Sequence, residues 1–235
     1  MKSRKFNLVK KTQFKVCLDF FANLFFTYCV IIGLALILFS SVTIECQVVG
    51  SSMRPTLNEY SDIENKKDVV YVNTCDKTVT YGDIVVCDTA KDAIIKRVIG
   101  LPGDIIDIVL SNGEYKLELN GKIIEEDYIN VSTDVRIPAI SRNGMDHTYS
   151  KFQTLISEKP ELFNDEVKLV VPDNTIFVLG DNRAVSVDSS TLGPIHIDHL
   201  QGRVELILFG GESEFAFYYD YLVRGKFFTT LVNMF

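Results

Sequence analysis

Residues 94–104 read IIKRVIGLPGD, and this stretch decides the fold because it joins a β-rich run to a tight turn. Isoleucine and valine dominate its first half, as in strands, and its second half contains the turn-forming pair Pro102-Gly103. Side chains alternate along a strand, so Lys96 and Arg97 leave opposite faces of an otherwise apolar segment. The stretch therefore predicts a strand at 93–99 followed by a turn.

The same alternation of short apolar runs and turn signals extends in both directions from this stretch. Asn120-Gly121 lies between two apolar runs and is the strongest hairpin signal in the chain. A helical period is visible only at 151–162. The fold class we predict is a mostly β domain, with strands at 68–73, 83–87, 93–99, 105–110, 115–119, 175–179 and 202–209.

The N-terminal part differs in charge from the rest of the 235-residue chain. Residues 1–19 carry six basic residues and one aspartate, and the 25 residues of 20–44 carry no charge. As a helix, this run would be ~37 Å long, enough to cross a ~30 Å hydrocarbon core, and it exceeds the 7–15 apolar residues typical of a signal peptide. Because basic flanks stay inside, we predict a cytoplasmic tail at 1–19, a transmembrane helix at 20–44 and an extracytoplasmic domain at 45–235.

Charge also restricts the partners of the exported part. The whole chain has a net charge of −7, although residues 1–19 are net positive and residues 20–44 are uncharged. Residues 45–235 are therefore strongly acidic. Nucleic-acid binding needs clustered positive charge, so we expect no nucleic-acid partner. The chain has five cysteines and no C-x-x-C pair. A disulfide between Cys75 and Cys87 is compatible with an exported domain but is not indicated by the spacing.

Two segments do not fit the β pattern. Residues 131–170 are polar and read as a small inserted cap region of unknown role. Residues 211–235 are rich in Phe and Tyr and include Arg224 and Lys226. This tail is either an interfacial segment that lies on the membrane or a segment that caps the core.

Lys96 has two interpretations. If its strand is buried, desolvation disfavours the ammonium form and lowers the lysine pKa, which suits a general base at neutral pH. Arg97 cannot act in this way, because a guanidinium stays charged. If the strand lies at a sheet edge, both basic side chains extend to solvent and have no catalytic role.

A serine nucleophile needs an adjacent base. The three histidines are His147, His196 and His199, and none of them lies in the segments 50–57, 81–85, 96–104 or 180–189, which are discussed below. His196 and His199 also have no third metal ligand nearby. We therefore expect no metal site. If a serine acts here, Lys96 is the base that its environment favours.

Four blocks in order carry a resemblance to a known family. They follow a predicted membrane helix, and the chain resembles bacterial type I signal peptidases of the Gram-positive type, which are membrane-bound Ser-Lys peptidases. The matching blocks are 50–57 (GSSMRPTL), 81–85 (YGDIV), 96–104 (KRVIGLPGD) and 180–189 (GDNRAVSVDS).

The resemblance implies roles for individual residues. Ser52 matches the nucleophile and Lys96 the general base, whereas Ser186 matches a serine that orients the lysine amine. Asp181 matches a structural member of its block, as does Arg183. The Ser52 N–H matches one oxyanion donor. Gly50 lies where some members carry a serine that supplies a second donor, so that donor must come from elsewhere.

The resemblance also implies a substrate. Val48, Val49, Met53, Leu57 and Ile95 match positions that line shallow apolar pockets for small side chains, which implies cleavage after Ala-x-Ala. The implied partners are exported preproteins with signal peptides, close to the export channel, and the lipid bilayer. No cofactor is implied.

Some residues depart from the family pattern. Ser190 replaces the usual arginine, which puts a salt bridge of the site in doubt, and Ala184-Val185 replaces more polar residues. The alternative function is a catalytically weakened or specialised relative that acts as a membrane-tethered binding or assembly factor. A cytoplasmic self-cleaving repressor is disfavoured by the membrane helix and the acidic exterior.

Overall fold

A computed structural model describes residues 2–58, 67–129 and 141–208. The aromatic tail at 211–235 and the first part of the predicted cap region, at 131–140, lie outside the described residues. The chain divides into two units, which are helix α1 (Lys2–Val42) and a β domain from Ile44 onward.

Helix α1 includes one segment that is long and apolar enough to cross a membrane. Lys15–Leu38 spans 24 residues with a mean hydropathy of 2.3, and none of that window is buried in the protein. The helix begins within the predicted basic tail and ends two residues before the predicted limit of the span at Ile44. A helix of this length and composition is compatible with a membrane anchor.

The β domain contains two sheets. The strands of the seven-stranded sheet lie in the order β1-β2-β11-β3-β4-β9-β10, and those of the four-stranded sheet in the order β7-β6-β5-β8. The bounds are β1 Thr43–Gln47, β2 Val69–Asn73, β3 Ile84–Asp88, β4 Ala93–Gly100, β5 Ile105–Ser111, β6 Glu114–Leu119, β7 Lys122–Ile123, β8 Leu169–Val170, β9 Thr175–Leu179, β10 Ile195–His196 and β11 Leu200–Leu208. The predicted mostly β fold is confirmed.

Strand β4 lies inside the larger sheet. It pairs with β3 on one side, where Val85 is opposite Lys96, and with β9 on the other, where Leu179 is opposite Arg97. Because both neighbours are hydrogen-bonded strands, the interpretation of Lys96 and Arg97 as edge residues is wrong.

The smaller sheet contains the predicted hairpin. Asn120 and Gly121 have φ angles of 51° and 77°, the left-handed pair that a type I′ turn requires. These two residues connect β6 to β7, so the hairpin is confirmed.

Helix α2 (Met145–Glu158) lies against the smaller sheet. It starts earlier than the predicted helix at 151–162, and Pro160 begins a short 3₁₀ turn that ends at Leu162. Met145, Phe152 and Leu155 recur at helical spacing and are each 1% exposed in the core beneath this sheet. The described part of the cap region therefore contributes to the core.

The larger sheet packs against two further apolar clusters. One contains Met53 and Leu57 from the segment that follows β1, together with Val70 and Val72 of β2. The other lies around Val85, Val98 and Val178 of the adjacent strands β3, β4 and β9. These clusters fix the segment after β1 and strand β4 on the same sheet, and this arrangement brings Ser52 and Lys96 together.

Candidate active site

The segment that carries Ser52 leaves β1 as irregular backbone. Gly50 has a φ of 90°, which favours glycine, and the chain turns there before Ser51 and Ser52. On the far side of the loop, the Asn182 backbone N–H donates to the Ser52 carbonyl at 3.0 Å, and its side-chain amide donates to the Ser51 carbonyl at 3.0 Å. The loop after β9 thus holds the main chain of both serines.

Lys96 meets Ser52 at this loop. The Lys96 Nζ lies 2.8 Å from the Ser52 Oγ and 2.8 Å from the carbonyl oxygen of Ile95, to which it donates. Lys96 is only 3% exposed. The structure therefore brings together the two residues that the resemblance assigns as nucleophile and base.

The surroundings of Lys96 favour its neutral form. Burial lowers the pKa of the Lys96 amine below its usual 10.5, and the nearby carboxylates of Asp188 and Asp181 and the Cys87 thiol oppose the shift only in part. A lysine with a lowered pKa can accept the proton of a serine hydroxyl at moderate pH.

Ser186 is completely buried beside this pair, but it does not make the bond that the resemblance implies. Its Oγ makes no hydrogen bond to any residue that the structure describes. A Cβ on Gly180 would lie 2.2 Å from the Ser186 Oγ and 2.5 Å from the Ser52 carbonyl oxygen. Gly180 thus lets Ser186 approach the backbone of Ser52, and the role of Ser186 as an orienting group stays a prediction.

Asp181 forms an ion pair that the sequence pattern did not reveal. Arg97 donates to it through Nε at 2.8 Å and through Nη2 at 2.5 Å. Thr56 Oγ1 donates to the same carboxylate at 2.5 Å, and the Arg97 guanidinium lies 4.1 Å from the centre of the Tyr128 ring. The sequence indicates only that Arg97 and Lys96 lie on opposite faces of their strand, and it does not identify Asp181 as the partner of Arg97. The ion pair ties β4 to the loop after β9 on the face opposite Lys96.

Ser190, at the position where the resemblance leads us to expect arginine, leaves no unpaired side-chain group. Its Oγ donates to Asp188 Oδ1 at 2.7 Å, and the other oxygen of Asp188 accepts the Gly180 N–H at 2.9 Å. Asp188 also caps the short helix α3 (Ser189–Leu192). The salt bridge that an arginine would make at position 190 is thus replaced by hydrogen bonds, and these still hold the loop after β9.

The residues that the resemblance assigns to substrate pockets fall into two groups. Val49 is 70% exposed and Ile95 is half-buried. Val48, Met53 and Leu57 are core residues, exposed by 5%, 1% and 1%. Their burial leaves little of these three side chains open to a substrate, so the predicted pocket lining stays a prediction.

The oxyanion donor that the resemblance implies is the backbone N–H of Ser52. The Ser52 N–H makes no hydrogen bond within the described residues, which agrees with the predicted oxyanion donor, and Gly50 offers no hydroxyl as a second one.

The described part of the chain has neither a disulfide nor a cluster of metal ligands. Cys75 and Cys87 are both free thiols, so the disulfide considered above is not formed. Among the described residues, no group of three His, Cys, Asp or Glu side chains is arranged to hold a metal ion.

A β domain with a serine hydroxyl beside a desolvated lysine amine has the arrangement of a serine hydrolase that uses lysine as its base. Comparison with known proteins agrees with this class. The family "Signal peptidase, peptidase S26" matches residues 21–209. This chain therefore belongs to the signal peptidase family, as its resemblance predicted, and is a serine endopeptidase of that family.

Two relatives of similar sequence support the family assignment. Signal peptidase I S of Bacillus subtilis (strain 168) is 33% identical over 156 residues, which cover 66% of this chain and 71% of that protein. Signal peptidase IB of Staphylococcus aureus (strain MRSA252) is 32% identical over 178 residues, 74% of this chain and 81% of that protein. A crystal structure of a signal peptidase I from Enterococcus faecalis V583 aligns at 24% identity with a TM-score of 0.34, covering 55% of this chain and 97% of the other.

Proposed function

We propose that this protein removes N-terminal signal peptides from exported preproteins by a Ser52-Lys96 mechanism, with cleavage after Ala-x-Ala-like sequences. The single observation that carries the proposal is the 2.8 Å contact between the Lys96 Nζ and the Ser52 Oγ in a site where Lys96 is 3% exposed. The family assignment supports the same reaction class.

Acylation starts with neutral Lys96. The lysine lone pair takes the Ser52 hydroxyl proton while the Oγ attacks the carbonyl carbon of the scissile peptide bond. The Ser52 N–H donates to the oxyanion of the tetrahedral intermediate. Collapse breaks the C–N bond, and the Lys96 ammonium gives its proton to the leaving amine. Asp181 has a structural role in this mechanism and transfers no proton, because its carboxylate already accepts hydrogen bonds from Arg97 and Thr56.

Deacylation repeats the sequence with water. Lys96 takes a proton from a water molecule, whose oxygen attacks the acyl carbon. The ammonium then returns a proton to the Ser52 Oγ as the ester bond breaks. The signal peptide leaves with a new carboxylate, and Lys96 and Ser52 regain their starting states.

We propose the membrane arrangement as well. Residues 1–19 lie in the cytoplasm, residues 20–44 cross the bilayer once, and the domain at 45–235 faces the outside, near the export channel. The basic tail and the candidate span in helix α1 support this orientation. An anchored site meets a membrane-inserted signal peptide at high effective concentration.

The test is cleavage of a purified Ala-x-Ala preprotein by the detergent-solubilised full chain. Ser52→Ala and Lys96→Ala should each abolish cleavage. The matched controls are the neighbouring serine, Ser51→Ala, and an exposed lysine before β4, Lys91→Ala, which should cleave like wild type. Full activity in either dyad variant refutes the mechanism. An intact preprotein with the wild-type enzyme would favour the alternative, a membrane-tethered binding factor.

A further inference from the structure

We propose that Asn58 is a positioning residue that holds the backbone leading to Ser52, an inference that rests on the function proposed for that serine. Asn58 is 2% exposed. Its side-chain amide donates to the carbonyl of Val48 at 2.9 Å and to the carbonyl of Gly50 at 3.1 Å. One side chain thus binds the main chain at two points shortly before the nucleophile.

Asp68 fixes Asn58 in turn. The Asn58 backbone N–H donates to Asp68 Oδ2 at 2.6 Å, and the Asp68 backbone N–H donates to Asn58 Oδ1 at 2.8 Å. The Val48 N–H also donates to the Asp68 carbonyl, at 2.8 Å. The Asn58 carboxamide therefore donates both of its hydrogens to main-chain carbonyls and accepts a main-chain N–H through its oxygen. A flip that exchanged its oxygen and nitrogen would break these bonds.

This contact matters because, within the described residues, the carbonyls of Val48 and Gly50 have no partner in a strand ladder, although the Val48 N–H still donates to Asp68. β1 ends at Gln47, and Val48 and Gly50 lie in irregular structure. Asn58 supplies the donors that a neighbouring strand would otherwise supply. The loop is then held from two sides, by Asn58 before Ser52 and by Asn182 at the Ser51 and Ser52 carbonyls.

The chemistry at this position is specific. Asn58 has a φ of 58°, a left-handed conformation that asparagine and glycine tolerate. An aspartate would keep the acceptor for the Asp68 N–H but would place a carboxylate against two carbonyl oxygens. A glycine would keep the backbone and remove all of the side-chain bonds.

The test compares Asn58→Gly with Asn120→Gly in the full-length protein. Asn120 is a matched control because it also has a positive φ of 51°, and its side chain donates to Asp104 at 2.8 Å and accepts from the Ile105 N–H at 2.9 Å, in a turn of the smaller sheet. We expect Asn58→Gly to lower kcat by about ten- to a hundredfold with little change in KM, because a misplaced nucleophile slows the chemical step. Asn120→Gly should lower the unfolding temperature and leave kcat near that of wild type.

Hydrogen exchange gives a second measurement that does not depend on activity. The Asn182 N–H reports on its bond to the Ser52 carbonyl, and it should exchange faster in Asn58→Gly but not in Asn120→Gly. Unchanged exchange at Asn182, or a kcat within about twofold of wild type, overturns the inference. If the wild-type enzyme does not cleave the preprotein, the proposed function fails, and exchange alone still decides the role of Asn58. If Asn58→Gly does not fold, Asn58→Asp takes its place with the same two measurements and the same criteria.

Discussion

Arg183 donates to both carboxylate oxygens of Glu126, and both side chains are almost completely buried, at 0% and 4% exposure. The ion pair joins the segment after β7 to the loop after β9, which also carries Asp181 and Ser186. Arg183 Nε donates as well to the Gly180 carbonyl at 3.1 Å, beside the glycine that Ser186 approaches. A charge pair outside the dyad thus fixes one wall of the site.

Glu126→Gln should destabilise the fold strongly. Removing one charge of a buried pair leaves the other uncompensated, which costs about 3–5 kcal/mol. The adjacent Glu125→Gln is a matched control, because the Glu125 side chain is 85% exposed and pairs with Lys116 at 3.3 Å. Exposed pairs contribute about 0–1 kcal/mol, so the control should unfold like wild type in a urea titration. Equal midpoints for the two variants would show that the buried pair is not needed for stability.

Local patterns predicted the longer strands and the hairpin, because alternation and turn residues act over a few positions, but they missed β1, β8 and β10. They did not decide between the two interpretations of Lys96. That choice depends on whether β4 lies at an edge, and β4 pairs with β9, which lies far along the chain. Strand order is a long-range property that no short window contains.

The same limit applies to the site residues. Spacing alone did not choose between Ser51 and Ser52, and the family resemblance made that choice. The pairing of Arg97 with Asp181 joins residues 84 positions apart, and the start of α2 at Met145 depends on packing against the smaller sheet. Asn58 reads as an ordinary turn residue in the sequence, because its partners Val48 and Asp68 each lie ten positions away.

Gly180→Ala should abolish activity. The added Cβ would lie 2.5 Å from the Ser52 carbonyl oxygen, a main-chain atom that Asn182 already holds. Overpacking of this kind typically costs about 1–3 kcal/mol and displaces backbone. The measurement is preprotein cleavage beside the unfolding midpoint. Gly33→Ala in helix α1 is the control, since its Cβ would meet nothing within 4 Å. Wild-type cleavage by Gly180→Ala would contradict the close approach of the two loops.

Lys151→Met should lower kcat more than Lys159→Met. Lys151, on α2, donates to the Ser186 carbonyl at 2.6 Å, whereas Lys159, just after α2, donates to the Leu192 carbonyl at 2.8 Å. Both variants lose one charged donor to a carbonyl of the segment after β9, a bond worth about 1.5–3 kcal/mol, but only Lys151 holds the residue beside the dyad. Comparison of kcat at matched temperatures below both unfolding midpoints separates the two. Equal kcat values would remove Lys151 from the positioning of Ser186.

Cleavage should rise with pH through the pKa of Lys96. Only the neutral amine accepts the Ser52 proton, and burial lowers this pKa below 10.5, so the rise should occur at lower pH than the titration of an ordinary lysine. The measurement is kcat/KM against pH, which reports the free enzyme. Lys96→Arg should be inactive at every pH, since a guanidinium stays protonated. Activity in that variant would exclude Lys96 as the base.

Lys96→Met should make the protein more stable. Burial disfavours the ammonium form, so the folded state binds its proton less tightly than the unfolded state, where the pKa is near 10.5. Lys96 therefore lowers the free energy of unfolding most at pH values below its folded pKa. This destabilisation declines as the pH rises from the folded pKa to 10.5, because stability increases with pH wherever the unfolded state binds more protons. We expect Lys96→Met to raise the thermal midpoint at neutral pH, with a smaller gain near pH 10. The exposed Lys91→Met is the control and should show no such trend. A gain for Lys96→Met that grows with pH would contradict the burial of a lysine with a lowered pKa.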